Sequence, residues 1–348
     1  MNTTIKEADY WNDYLCQIPE GKQDIYFTEE YLKLYENESS KVKCFIYQEE
    51  DKLFLFPYLK REIICETLPQ QYFDIESQYG YGGPICNSKD IIFLKKATDE
   101  LIDSCAKQNI VCGFIRFHPV LNNHLFIVGN ENIYFDRKTV VIDLELTINE
   151  IWENQIHSKH RNEIRKAEKN GLEFIVDKDF KYLPEFILLY NKRMEKLSAD
   201  SYYYFDKGYY NKIKTDLANN SFLGIVKLKD DIISAAIFFK HGIYGHYHLS
   251  ASNENFLKFY PNQFLIYKSA LYLKEIGVKI FHLGGGRTPE VTDSLFKFKS
   301  RFSKSLCDFY IGKFIFNKDI YNELIKNWEN KFPSKVLLYK NYLTRYRL

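Results

Sequence analysis

The sequence predicts an α/β protein (a mixed α+β sheet architecture) in two tandem units, and three observations lead there. Its 348 residues exceed what one hydrophobic core usually organises. An order of strand meander, loop, helix and strand occurs twice. In each occurrence the last strand follows a helix, which is the connection that lets two strands lie parallel. Element order carries this duplication, since residue identity between the halves is slight. The boundary is placed after the strand Thr139 to Leu144, giving units 1–145 and 146–348.

Composition sets limits on function. With 48 Lys+Arg against 46 Asp+Glu, no global basic field draws the chain to nucleic acid, so any polyanion site must be a local cluster. The 28 Tyr and 28 Phe accompany abundant Lys, Asn and Ile, a compositional bias that gives the aromatics no functional weight as a group. Seven cysteines, odd in number and without Cys-x-x-Cys, suggest neither a zinc knuckle nor a disulfide framework. No signal-peptide core and no long apolar run is present, and a cytoplasmic location is expected.

In the first unit a short helical opening precedes two strands, Lys41 to Tyr47 and Leu53 to Lys60, joined at Glu49-Glu50-Asp51. Tyr72 to Ser77 extends the meander into the loop Gln78-Tyr79-Gly80-Tyr81-Gly82-Gly83-Pro84. Ser88 then offers a cap, and Ile91, Leu94, Ala97, Leu101 and Cys105 form one helical stripe. Val111 to His118 completes the crossover.

In the second unit Thr147 and Glu150 make a capping box ahead of Ile151-Trp152, so a helix is predicted from there to the stop at Gly171. Ser158, Arg161, Arg165 and Lys169 share one of its faces, and residues 157 to 170 hold five cations and two acids. Charge runs of this kind are usually solvated faces. A second helix covers Tyr182 to about Leu197. Three strands follow, Phe222 to Leu228, Ile232 to Phe239 and Ile243 to Ser250, with turns at Lys229-Asp230 and His241-Gly242. Pro261 suits a first helical position, Leu265, Ile266, Ser269, Leu273 and Ile276 form a buried stripe, and Gly277 ends that helix. Val278 to Leu283 returns as a strand. The tail from Lys331 carries cations without acids and is expected to end in a surface helix.

That last strand runs into Gly284-Gly285-Gly286-Arg287, where three glycines remove every Cβ from a turn and let backbone approach a ligand or a neighbouring strand. Leu295 to Phe302 alternates aromatic and cationic residues, and read as a strand it sets Phe296, Phe298 and Ser300 on one face and Lys297, Lys299 and Arg301 on the other. An edge strand whose lysines blunt aggregation fits the same pattern. His246 and His248 alternate on one strand with His282 at the end of the next, a geometry that admits a metal triad. No nearby acid completes it, so no metal is expected.

Several stretches together resemble the FemABX-like (peptidoglycan bridge-forming) branch of the GNAT acyltransferase superfamily. They are Tyr79-Gly80-Tyr81-Gly82-Gly83-Pro84, Arg161-Asn162-Glu163-Ile164-Arg165-Lys166-Ala167 with Gly171, Tyr247-His248-Leu249, and Leu283-Gly284-Gly285-Gly286 followed by Leu295-Phe296-Lys297-Phe298-Lys299. The resemblance implies tandem GNAT-like domains and transfer of an aminoacyl or acyl group onto an amine of a peptidoglycan precursor or a surface-polysaccharide amino sugar. An acyl-coenzyme A-dependent sugar N-acyltransferase, or a degenerate tandem module that binds the precursor without transfer, are the alternatives. It further implies Lys299, His248 and Tyr247 as catalytic residues. Arg161, Arg165, Lys159, Lys297, Arg301, Tyr79, Tyr81, Gly284, Gly285, Gly286 and Arg287 are the expected substrate- or phosphate-binding set. The expected co-substrate is aminoacyl-tRNA or acyl-coenzyme A, with no tightly bound cofactor. The expected partners are a nucleotide- or lipid-linked cell-envelope precursor and tRNA, not DNA, at the inner membrane face. One departure favours tRNA as donor carrier: the glycine-rich pyrophosphate turn of coenzyme A-dependent relatives is replaced by Phe259-Tyr260-Pro261-Asn262-Gln263-Phe264, and Pro261 removes an amide donor.

Overall fold

A computed structural model describes residues 3–129 and 131–348. The chain divides into two compact units, one of Met1–Asp136 with Phe309–Leu348 and one of Arg137–Asp308. This division differs from 1–145 and 146–348 at both ends, because sequence order does not show where a terminal segment returns. Ile311–Ile315 pairs antiparallel with Cys112–Arg116, and the helix Lys318–Lys331 buries Leu324, Ile325 and Trp328, so the tail completes the first unit.

The first unit is a mixed sheet flanked by helices, as expected. Thr3–Ala8, which precedes the short helix Asn12–Leu15, pairs with Ser40–Glu49; that strand pairs with Lys52–Ile63, and that one with Tyr72–Glu76, all antiparallel. The opening is therefore a strand before it is a helix. Glu50 takes φ of 57°, as a two-residue hairpin turn requires. The helix Ile91–Lys107 then carries the chain over to Ile110–Arg116, which lies parallel to Tyr72–Glu76. Phe93, Leu94, Ala97, Leu101 and Cys105 of that helix are buried. Its cap is Asp90, whose carboxylate accepts from the amides of Ile92 and Phe93, while Ser88 serves Asp90 itself.

The second unit repeats the plan. Leu172–Asp177, Ser221–Leu228, Asp231–His241 and Tyr244–Ser252 pair antiparallel in that order, the helix Pro261–Glu275 crosses, and Ile280–Gly284 lies parallel to Tyr244–Ser252. Val140–Asp143 closes that side antiparallel to Ile280–Gly284. Phe264, Leu265, Ile266, Ala270 and Leu273 pack the crossover helix onto the sheet, each contributing about 1.5–3 kcal/mol of burial for the larger side chains. Two predicted elements change form. The helix from Thr147 begins with its capping box but passes through a π turn, Ile151–Gln155, and breaks at Ile156 before Ser158–Lys169. The break has a cause: the Gln155 carboxamide turns back to the Asp143 amide and carbonyl and accepts from the Ser303 hydroxyl, while Ile156 is buried.

The other change is the aromatic and cationic run. Ser294–Lys299 is a helix, not a strand, because Asp293 caps it by accepting from the amides of Leu295 and Phe296. Lys297 and Lys299 therefore do not form a row: Lys297 is exposed and Lys299 buried.

Candidate functional site

Lys299 is 9% exposed, and its ammonium donates to the Gly285 carbonyl at 2.9 Å while lying 5.9 Å from the centre of the Tyr247 ring. Burial lowers its pKa from 10.5 to about 8, with Asp293 pulling the other way. Three residues far apart in sequence thus meet around one amine: Lys299 from the capped helix, Gly285 from the strand-end turn, and Tyr247 from the meander. Burial raises the Tyr247 phenol to about 12, so it stays protonated at neutral pH.

The glycines serve neighbours within the protein. Gly284 takes φ of 76°. A Cβ on Gly285 would come within 2.9 Å of the Lys138 carbonyl, and one on Gly286 within 2.5 Å of Asp293 Oδ1. The Arg137 guanidinium donates to the Gly286 carbonyl at 2.8 Å. Asp293, despite burial that opposes it, is held below the ordinary carboxylate range by the amides of Phe296, Arg287, Leu295 and Thr288, so one side chain ties the glycine turn to the Lys299 helix. Arg287 itself is exposed, with its guanidinium 3.5 Å from the Ser294 hydroxyl.

A second set of contacts fixes that helix from the other side. His160 is fully buried, with Nδ1 2.8 Å from Glu163 and Nε2 3.0 Å from the Phe298 carbonyl, and its ring packs on Phe298 and Phe302. Gln263 donates to the same Glu163 carboxylate at 3.1 Å. The Arg301 carbonyl accepts from the His157 amide at 2.8 Å, and the His157 ring caps Lys159, whose own side chain is exposed.

Tyr247 and His248 do not line one pocket. Neighbours on a strand point to opposite faces, and here Tyr247 packs near Phe238 at 5.6 Å on the core side while His248 packs on Phe239 at 4.5 Å. The Tyr209 hydroxyl lies 2.6 Å from His248 Nε2, and burial with the nearby His246 lowers the His248 pKa to about 3. An imidazole so weakly basic is unsuited to take a proton from an attacking amine. His246 and His282 meet as a T-shaped ring pair at 5.7 Å, whereas the His248 ring is committed to Tyr209.

Arg161 and Arg165 both turn to Trp152. Arg161 donates to the Trp152 and Glu153 carbonyls at 3.1 and 2.7 Å and pairs with the Glu153 carboxylate at 2.9 Å, bracing the helix break. Arg165 is exposed, with its guanidinium 5.2 Å from the Trp152 ring centre. Among the described residues, neither shares a hydrogen-bond partner with Lys299. In the first unit, the Tyr79 carbonyl accepts from Tyr31 at 2.8 Å, and Tyr81 sits edge-on to Tyr26 and Phe309. Sequence reasoning missed Asp293, His160 and Arg137. Only Asp293 left a signal, an Asp just before a Ser-Leu-Phe start.

Residues 155–297 match the family model described as the acetyltransferase (GNAT) domain. The crystal structure of FemX superposes with a TM-score of 0.69 at 15% identity, over 92% of this chain and 99% of that one. The C-terminal domain of a putative lysylphosphatidylglycerol synthetase from Agrobacterium fabrum follows at 0.54 and 12% identity, over 84% and 88% of the two chains. A tandem GNAT protein from the clavulanic acid biosynthesis pathway gives 0.50 at 5% identity, over 90% and 98%. No curated protein matches the sequence. Residues 155–297 therefore carry an acetyltransferase domain of the GNAT type. Over most of its length the chain is similar in fold to FemX.

Proposed function

We propose that the protein transfers an aminoacyl or acyl group onto the amine of a peptidoglycan precursor or of an amino sugar in a surface polysaccharide, with Lys299 at the reacting carbonyl. The observation that carries this reading is the buried Lys299 ammonium, which is held by a main-chain carbonyl and, among the described residues, forms no ion pair with a carboxylate. A buried cation of this kind is costly to the fold and suited to a charge that arises only during reaction. As the amine adds to the activated carbonyl, the developing oxyanion takes a hydrogen bond from Lys299. That addition forms the C–N bond; collapse then re-forms the C=O bond and breaks the bond to the leaving oxygen or sulfur, and the proton lost by the nitrogen ends on that leaving atom. At pH 7 a lysine with a pKa of about 8 is roughly nine-tenths protonated and able to donate.

The donor proposed is aminoacyl-tRNA. Pro261 opens the crossover helix behind Tyr260 at φ of 62°, and the Asn262 carboxamide oxygen accepts from the hydroxyls of Ser234 and Ser252, so its side chain faces the protein. This supports the absence of the usual pyrophosphate turn. Arg165, exposed beside Trp152, is the proposed phosphate contact, together with Lys159, Lys297 and Arg287. The acceptor proposed is a nucleotide- or lipid-linked precursor at the inner membrane face. Incubating the protein with charged tRNA, or separately with acyl-coenzyme A, plus a nucleotide-linked muropeptide or amino sugar tests this by mass gain of the acceptor. Gain from charged tRNA is expected; gain from coenzyme A alone would reassign the donor, and binding without transfer would make the chain a precursor-binding module.

A further inference from the structure

The last stretch of the first unit combines exposed leucines with exposed lysines on either side of them. The short helix Val336–Tyr339 turns Tyr339 inward, 6.2 Å from Trp328, and leaves Leu337 and Leu338 at 83% and 71% exposure. Lys335 and Lys340 flank those leucines and are exposed as well. On helical spacing Lys335 lies beside Leu338 and Lys340 beside Leu337, so the outward face is two leucines with a lysine on either side. The Lys331 and Lys335 ammoniums both lie over the Phe332 ring, at 5.3 and 4.9 Å, which concentrates positive charge there. From Lys331 to Leu348 there are five cations and no acid; Arg345 pairs with Glu329 and Arg347 with Asp74, so the positive charge of the outward face rests on Lys331, Lys335 and Lys340. A cavity of about 360 Å³ opens next to this segment, with Leu324, Trp328, Phe332 and Lys331 in its lining.

We propose that this face seats on an anionic phospholipid surface, with Leu337 and Leu338 entering the acyl boundary and Lys335 and Lys340 lying at the headgroup phosphates. Exposed leucines alone would fit any apolar partner. Cations on both sides of them, with no acid in the segment, select a surface that is apolar below and negative above. The proposal is independent of the transfer reaction, and its test uses no donor or acceptor.

Full-length protein is sedimented with sucrose-loaded vesicles of phosphatidylcholine alone and of equimolar phosphatidylcholine and phosphatidylglycerol. Pelleting with the anionic vesicles only, weakened by added salt, is expected. Lys335→Gln should cost about fivefold in affinity, as should Lys340→Gln. Leu337→Ser with Leu338→Ser should cost roughly tenfold or more. All these side chains are exposed, so thermal melting should not move. Pelleting with neutral vesicles to the same extent, no pelleting, or binding indifferent to these substitutions would each overturn the proposal. So would an oligomer in size-exclusion chromatography that the double serine variant dissolves, since the face would then be covered by a second copy.

Discussion

The Lys299 ammonium rests 2.9 Å from the Gly285 carbonyl, at a place where the cost of burying its charge outweighs the pull of Asp293. Its pKa falls from 10.5 to about 8 through burial, which corresponds to a destabilisation on the order of 3 kcal/mol while the folded state keeps the proton. The sign follows from proton binding. Between pH 8 and 10.5 the unfolded chain holds the proton and the folded chain does not, so stability should rise with pH through that window. Lys299→Met should therefore raise the urea midpoint at pH 7 and abolish that rise, while transfer falls by about a hundredfold or more. Loss of stability in the Met variant would make Lys299 a structural residue.

Much of this was legible in the sequence, and the exceptions share a cause. The capping box at Thr147, the meander of the second unit and the helix from Pro261 to Gly277 are fixed by local signals. Leu295 to Phe302 misled because an alternating run is also compatible with a short helix; Asp293 decides between them by meeting two amides. The helix break at Ile156 depends on Gln155 meeting Asp143 and Ser303, partners that lie 12 and 148 residues away. Arg161 looked like a free phosphate clamp for the same reason. Its partners, the Trp152 and Glu153 carbonyls, are released only by that break.

Gly286→Ala tests the tie between the turn and the Lys299 helix. The added Cβ would lie 2.5 Å from Asp293 Oδ1 and 2.8 Å from Cγ, so the cap must move. Transfer should drop to the level of the Lys299 variant, with a stability loss of about 1–2 kcal/mol from the displaced cap. Gly277→Ala is the control. Its φ of 88° makes the Cβ strained, but no atom lies within 4 Å, and a loss of about 1 kcal/mol with normal transfer is expected.

Acid should loosen the second unit before it affects chemistry. Burial lowers the pKa of His160 and, with His246, brings His248 to about 3, while both regain ordinary values near 6.5 on unfolding. The unfolded chain then binds more protons as pH falls from about 6.5 towards 3, and stability declines through that range. His248→Gln keeps an acceptor for the Tyr209 hydroxyl and removes one titrating group, so its melting temperature should fall less steeply with acid than that of the parent. Superimposable pH profiles would mean that the imidazole does not titrate on unfolding.

The two arginines near Trp152 should separate cleanly. Arg161 satisfies two main-chain carbonyls and pairs with Glu153, so Arg161→Ala leaves those carbonyls without their donor and should cost about 1–3 kcal/mol of stability. Among the described residues Arg165 has only its Trp152 ring contact and an exposed 3.3 Å hydrogen bond to the Asn162 carboxamide oxygen. Arg165→Ala should therefore change stability by less than about 1 kcal/mol. As a phosphate contact it would instead raise KM for the phosphorylated co-substrate with kcat little changed, because a group far from the reacting carbonyl binds ground state and transition state alike. Arg165→Lys should recover part of the affinity, since an ammonium keeps the charge but not the two-pronged grip. If KM is unmoved by Arg165→Ala while Arg161→Ala raises it without loss of stability, the assignment of phosphate contact and structural brace must be exchanged.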